Sequence, residues 1–145
     1  MIELVSEHKI AGRLKAAGLR PTRQRIALGM LLFRNGDRHV TAEMLHDEAV
    51  RERIPVSLAT VYNTLHQLTE AGLLREVAIE GSKTYFDTNT SDHHHFYFEH
   101  DGVLMDIDGN GSPVVAMPEP PEGMEISRVD VLIRLVKKGA SSART

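Results

Sequence analysis

Residues 57–74 read Ser57-Leu58-Ala59-Thr60-Val61-Tyr62-Asn63-Thr64-Leu65-His66-Gln67-Leu68-Thr69-Glu70-Ala71-Gly72-Leu73-Leu74. Val61, Leu65 and Leu68 recur at i, i+4 and i+7, the spacing of one helix face. Ser57 suits the N-cap, because its hydroxyl can accept an orphan amide of the first turn, and Gly72 suits the left-handed conformation that closes a helix. The opposite face carries Thr60, Tyr62, Asn63 and Gln67. A merely solvated face is usually rich in Glu and Lys, whereas uncharged hydrogen-bonding and stacking groups suit base edges. The segment therefore predicts a recognition helix over about residues 57–71.

The flanks fit that reading. Residues 73–79 and 84–87 are strand-like runs joined by Glu80-Gly81-Ser82-Lys83, which predicts a hairpin. Upstream, Ile10, Leu14 and Ala17 predict a helix over about 6–17, stopped at Gly18. Pro21-Thr22 opens a second helix through about Phe33, with Ile26, Met30 and Phe33 on one face and Asn35-Gly36-Asp37 as terminator. Thr41 is an N-cap for a third helix over about 42–52, in a segment ended by Pro55. Helices followed by a short hairpin describe a winged helix-turn-helix with the Gly81 turn as wing. A small helical bundle packed on a hairpin, with no DNA in view, fits the same pattern.

The second half is β-rich. Residues 93–98 and 103–107 flank Glu99-His100-Asp101-Gly102, a second hairpin, and Val129, Val131, Ile133 and Leu135 alternate through residues 126–136. Residues 109–123 form a Pro/Gly-rich connector. A few short strands bury little apolar area alone, and pairing with a second copy of the chain would remedy that.

The chain has 145 residues, 41% hydrophobic and 26% charged, with no Cys and no Trp. That length suits one domain or two small ones. Zero Cys excludes disulfide frameworks, Cys-based zinc sites, iron–sulfur clusters and thiol catalysis. No apolar run approaches the roughly 18 residues of a membrane span, and the N-terminus lacks a secretory pattern, so a cytoplasmic protein is expected. The net charge of −3 argues against a nucleic-acid partner until it is read by segment. Residues 1–40 hold eight Lys/Arg against three acids, whereas residues 84–127 hold no Lys or Arg, nine carboxylates and four of the eight His. A polyanion-facing start and a cation-facing second half are implied.

The run Asp92-His93-His94-His95 lies on a predicted strand, so His93 and His95 share a face and His94 takes the other. Asp87, at the end of the wing hairpin, and Asp106, on the partner strand, add hard oxygen donors. Imidazole and carboxylate without thiolate favour iron(II), manganese(II) or zinc over copper(I). A solvated polar loop is the bland alternative, and axial ligation of haem iron is a further one; spacing does not separate the metal and haem readings.

Three separated motifs resemble the ferric uptake regulator family: residues 57–74, Leu19-Arg20-Pro21-Thr22-Arg23-Gln24-Arg25, and Thr84-Tyr85-Phe86-Asp87 through His93-His94-His95. The resemblance covers about residues 8–108. It implies an α+β homodimer: an N-terminal winged helix-turn-helix over 1–84, a hinge over 85–92 and a small C-terminal α/β dimerisation domain over 93–145. It places the regulatory metal site on His39, Asp87, His93, His95 and Asp106, with His39 in the loop before the third helix. It implies that Ser57, Thr60, Tyr62 and Asn63 face the major groove of a double-stranded operator while Lys15, Arg20 and Arg23 position phosphates.

The chain departs from the family pattern in three places. The Cys pairs of the family's structural zinc are absent, the first reading Phe98 and Asp101. A further ligand His falls near Val129. The connector 109–123 is Pro-rich where members place a helix. A Cys-free chain with a triple-His run looks like the iron response regulator branch, which acts on iron and haem metabolism genes and in which haem relieves DNA binding. Haem ligation would then rest on His93, His94 and His95, or on His46 or His66 elsewhere; the branch's Cys-Pro haem motif is missing. The alternative within the family is a repressor responsive to manganese, iron or peroxide. A small His/Asp metalloenzyme is the remote third reading, since no general base stands out beyond the ligands, and no enzyme activity is expected.

Overall fold

Each helix of the described residues starts on a hydroxyl supplied by its own sequence. In the computed structural model, which describes residues 6–79, 83–91, 93–107 and 116–139, α1 is Glu7–Ala16, α2 Arg23–Phe33, α3 Ala42–Arg51 and α4 Leu58–Glu70. Their N-caps are Ser6, Thr22, Thr41 and Ser57, whose side chains accept from the amides of Lys9, Arg25, Met44 and Thr60 at 3.1–3.2 Å. Each cap contributes about 1 kcal/mol. Gly18 and Gly72, at φ 82° and 83°, close α1 and α4 as their sequence predicts. The expected wing turn at Gly81, Asp92 and the first part of the 109–123 connector lie outside the described residues.

The predicted face of α2 needs correction. Leu28, Gly29, Leu31, Leu32 and Phe33 are its buried residues, whereas Ile26 and Met30 are only partly buried against the core. The helix packs against both α1 and α3, so it is enclosed on two sides and a single stripe does not describe it. At its tightest point Gly29 faces Ile10, where an added Cβ would stand 2.6 Å from Ile10 Cγ2. The core of this unit joins Leu14 of α1, Leu45 of α3, Val61, Leu65 and Leu68 of α4, and Phe86.

Three antiparallel strands complete it: β1 His39–Val40, β2 Arg75–Ala78 and β3 Thr84–Asp87, in the order β1-β3-β2. His39 therefore lies on a strand rather than in a loop. Two residues are too few to show an alternation, and β1 exists only because β3 offers it a paired edge. The chain divides into two compact units between Thr90 and Ser91. The first extends past residue 84 because residues 85–87 belong to its central strand.

In the second unit β4 His95–Phe98 lies between β5 Val103–Asp106, antiparallel, and β6 Leu132–Leu135, parallel. Here β4 begins at His95 rather than at residue 93, and β6 occupies four residues of the predicted run 126–136. The helical part of the expected α/β domain is not found among the described residues of this unit. Its buried apolar residues among those described are Tyr97 and Leu104. Each such burial is worth roughly 1.5–3 kcal/mol, against a backbone ordering cost of about 1–2 kcal/mol per residue. No helix of the described residues is long and apolar enough to cross a membrane.

Candidate metal centre and nucleic-acid interface

The first unit presents one pair of metal donors. His39 and Asp87 are direct partners across β1 and β3, so their side chains leave the sheet on one face, with Nε2 of His39 3.1 Å from Oδ2 of Asp87. Asp87 is fully buried, and its Oδ1 accepts the amide of Asn89 at 2.9 Å. One residue along, Arg38 donates its amide to Thr88 Oγ1 at 2.8 Å and accepts the amide of Thr88 at 3.0 Å, fixing the register.

The second unit presents three donors. Register pairs His95 with Asp106, and Nε2 of His93 and of His95 stand 3.1 and 3.3 Å from the same Oδ1 of Asp106. Nδ1 of His93 lies 2.6 Å from the carbonyl oxygen of Ser91. A carbonyl can only accept, so this nitrogen carries a proton and Nε2 is the ring atom turned to Asp106. A ring nitrogen facing a carboxylate oxygen is favourable when a proton or a metal ion comes between them. His94 has the opposite tautomer: its Nδ1 accepts the amide of Val131 at 3.1 Å, which leaves the proton on Nε2.

Donors bound about 2.1 Å from a first-row ion, at tetrahedral to octahedral angles, stand about 3.0–3.4 Å apart. The 3.1–3.3 Å separations within each unit fit that spacing. The carbonyl of Ser91 and the amide of Asn89 supply the outer hydrogen bonds that orient such ligands. His46 is half-buried on α3, and exposed His66 on α4 stands edge-on to Phe86, ring centroids 5.5 Å apart. Neither belongs to the donor groups found among the described residues. Phe98 and Asp101 line an open depression with His100, Leu135, Val136 and Lys137, at the end of β4 opposite His95.

The nucleic-acid candidates sit on or beside the helices of the first unit, with Arg20 between α1 and α2. Lys15, Arg20, Arg23, Tyr62 and Asn63 are exposed. Ser57 and Thr60 are engaged with each other: besides capping α4, Ser57 Oγ donates to Thr60 Oγ1 at 3.0 Å. Tyr62 donates its hydroxyl to Glu43 Oε2 at 2.8 Å, and chiefly this hydrogen bond, then burial and the carboxylate charge, raise the phenol's pKa above its ordinary value of 10. Sequence reasoning missed Glu43, which reads as an ordinary acid in the first turn of a helix. It also missed Arg25, whose guanidinium donates to the carbonyl of Arg20 and to Gln67 Oε1, both at 2.9 Å. That side chain ties the start of α2 to the exposed face of α4.

Comparison with known proteins agrees with this architecture. The model of the ferric uptake regulator family matches residues 16–112. Ferric uptake regulation protein 1 of Mycolicibacterium fortuitum is 35% identical over 127 residues, which cover 83% of this chain and 75% of that protein. The ferric uptake regulator of Vibrio cholerae superposes with a TM-score of 0.70 at 20% identity, covering 88% of this chain and 98% of that one. The ferric uptake regulator of Pseudomonas aeruginosa, solved with manganese, gives 0.68 at 22% identity, with 89% and 98% covered. At such identities the structural likeness speaks for the fold, which is α+β with a winged helix.

Proposed function

The chain belongs to the ferric uptake regulator family, a family of transcriptional regulators and not of enzymes, and from that premise we propose that a divalent cation sets its affinity for operator DNA. The ion, manganese, iron or zinc, is held by donors drawn from His39, Asp87, His93, His95 and Asp106. An ion that binds one arrangement of these donors better than another biases a two-state element. The protein acts as a homodimer on double-stranded DNA, with Tyr62 and Asn63 toward bases and Lys15, Arg20 and Arg23 toward phosphates.

The observation that carries this reading is the convergence of two imidazoles on one carboxylate oxygen. Nε2 of His93 and of His95 stand 3.1 and 3.3 Å from the same Oδ1 of Asp106, with Nδ1 of His93 2.6 Å from the Ser91 carbonyl oxygen. Capture of a cation turns that juxtaposition into ligation.

The rival is the haem-responsive reading, in which haem at His93, His94 or His95 relieves DNA binding at iron and haem metabolism genes. The geometry supports it less. His93 and His95 already face a carboxylate, which suits a small ion, and His94 would have to give up its bond from Val131 or bind through a protonated nitrogen.

One experiment decides. The protein is titrated separately with Mn²⁺ and with haem, and retention of a duplex selected from a random pool is read beside the haem Soret band. DNA binding that requires Mn²⁺ and ignores haem supports the proposal; release by haem with a Soret shift supports the rival.

A further inference from the structure

We propose that Arg38 is the positioning residue through which occupancy of the His39–Asp87 donor pair reaches the DNA-binding helices. The inference rests on the metal-responsive reading above. Arg38 precedes His39 in the chain and Thr88 follows Asp87, and the two are locked by reciprocal hydrogen bonds of 2.8 and 3.0 Å. An ion captured between Nε2 of His39 and Oδ2 of Asp87 fixes where those residues stand, and Arg38 and Thr88 feel that constraint one residue along.

The Arg38 side chain carries it to two helices. Nη1 donates to Glu48 Oε1 at 2.9 Å and to the Leu31 carbonyl at 3.0 Å, and Nη2 donates to Glu48 Oε2 at 2.5 Å. Leu31 is in the last turns of α2 and Glu48 lies on α3, so one guanidinium touches both helices from the end of the ligand strand. The side chains of Arg38 and Glu48 are 25% and 18% exposed, which removes the pair from the class of solvated surface bridges of negligible effect. A bidentate fork is directional, so a small displacement of the Arg38 backbone disturbs both of its bonds to Glu48. From α3 the route continues to the recognition helix: the two helices pack together, and Glu43 in the first turn of α3 holds the Tyr62 hydroxyl.

The fold supplies its own control. Arg34 and Glu52 form a second bidentate pair between the ends of α2 and α3, with no hydrogen bond to the ligand strand among the described residues. Coupling between two ligands is reciprocal and commonly amounts to about 5–150-fold in affinity. The test measures DNA affinity of the full chain with and without Mn²⁺, Mn²⁺ affinity of the chain alone, and thermal melting. Arg38→Lys and Glu48→Gln are expected to bind Mn²⁺ as the parent does while the Mn²⁺-induced gain in DNA affinity falls toward onefold; Glu52→Gln keeps the parental gain. A purely structural role lowers the melting temperature and leaves the gain intact, and that result overturns the proposal while the metal-responsive reading stands. A parent protein whose DNA affinity ignores Mn²⁺ overturns both. Should Arg38→Lys lose its fold, Glu48→Gln, which keeps the shape of its side chain and one acceptor oxygen, decides alone.

Discussion

Tyr62 on α4 donates its hydroxyl to Glu43 on α3 over 2.8 Å, so the aromatic ring proposed to meet a base is held by the neighbouring helix. A ring restrained before binding loses less freedom when it contacts DNA. Replacing Tyr62 by Ala is expected to weaken specific binding by about 1–3 kcal/mol per lost base contact while non-specific binding changes little. Competition between a selected and an unrelated duplex reads the ratio, and an unchanged ratio removes Tyr62 from the base-reading set.

The same bond has an alkaline consequence. The phenol pKa is raised above 10, so the stabilisation from this contact is complete below the unfolded value and is lost as pH rises through the higher folded one. In a tyrosinate absorbance titration, Glu43→Gln should shift one of the three tyrosines to lower pH. Superimposable curves for parent and variant would show that Glu43 does not hold the phenol in solution.

Arg23 is exposed at the start of α2 and is proposed to touch phosphate. Arg23→Ala should lower affinity for all duplexes alike and reduce the slope of log K against log salt by about one. A loss confined to the selected duplex would assign Arg23 to bases instead.

Metal affinity should depend on the carboxylate that faces two imidazoles. Asp106→Asn and His93→Ala are each expected to weaken Mn²⁺ binding by at least about tenfold. Imidazole ligates only when neutral, so affinity in the parent should fall on acidification. Calorimetry with Mn²⁺ at several pH values reads both effects; affinity indifferent to pH would exclude the histidines as ligands.

Gly29→Ala tests the α1–α2 contact. Alanine is favoured over glycine in a helix by about 1 kcal/mol, but its methyl would stand 2.6 Å from Ile10 Cγ2, and overpacking costs about 1–3 kcal/mol. A net lower melting temperature is expected, with partial recovery in Gly29→Ala/Ile10→Leu, because leucine lacks the offending branch. A stabilised single variant would mean that Ile10 moves aside cheaply.

Helix α4, the N-caps Thr41 and Ser57 and the two hairpin pairings were legible in the sequence because they are local: a hydroxyl three residues before an amide, a repeat of 3.6, two runs around a turn. That His93, His95, Asp87 and Asp106 could hold a cation was legible as chemistry, in three adjacent imidazoles among carboxylates and a stretch, residues 84–127, without Lys or Arg. His39 came only from family likeness, because its two-residue strand shows no period of its own and exists only through pairing with β3. The buried face of α2 was misread for a similar reason: a helix enclosed by two neighbours has no single stripe.

Tertiary structure alone decided which ring nitrogen of His94 is engaged. Its Nδ1 accepts the amide of Val131, 37 residues away. Tertiary structure also joined Arg38 to Glu48 and Thr88, and Glu43 to Tyr62, pairs separated by 10 to 50 residues. Sequence by itself determined the elements and the kinds of donor, which depend on neighbours along the chain. Which donors face one another, and which helices they pull on, depends on distances across the fold that no local pattern contains.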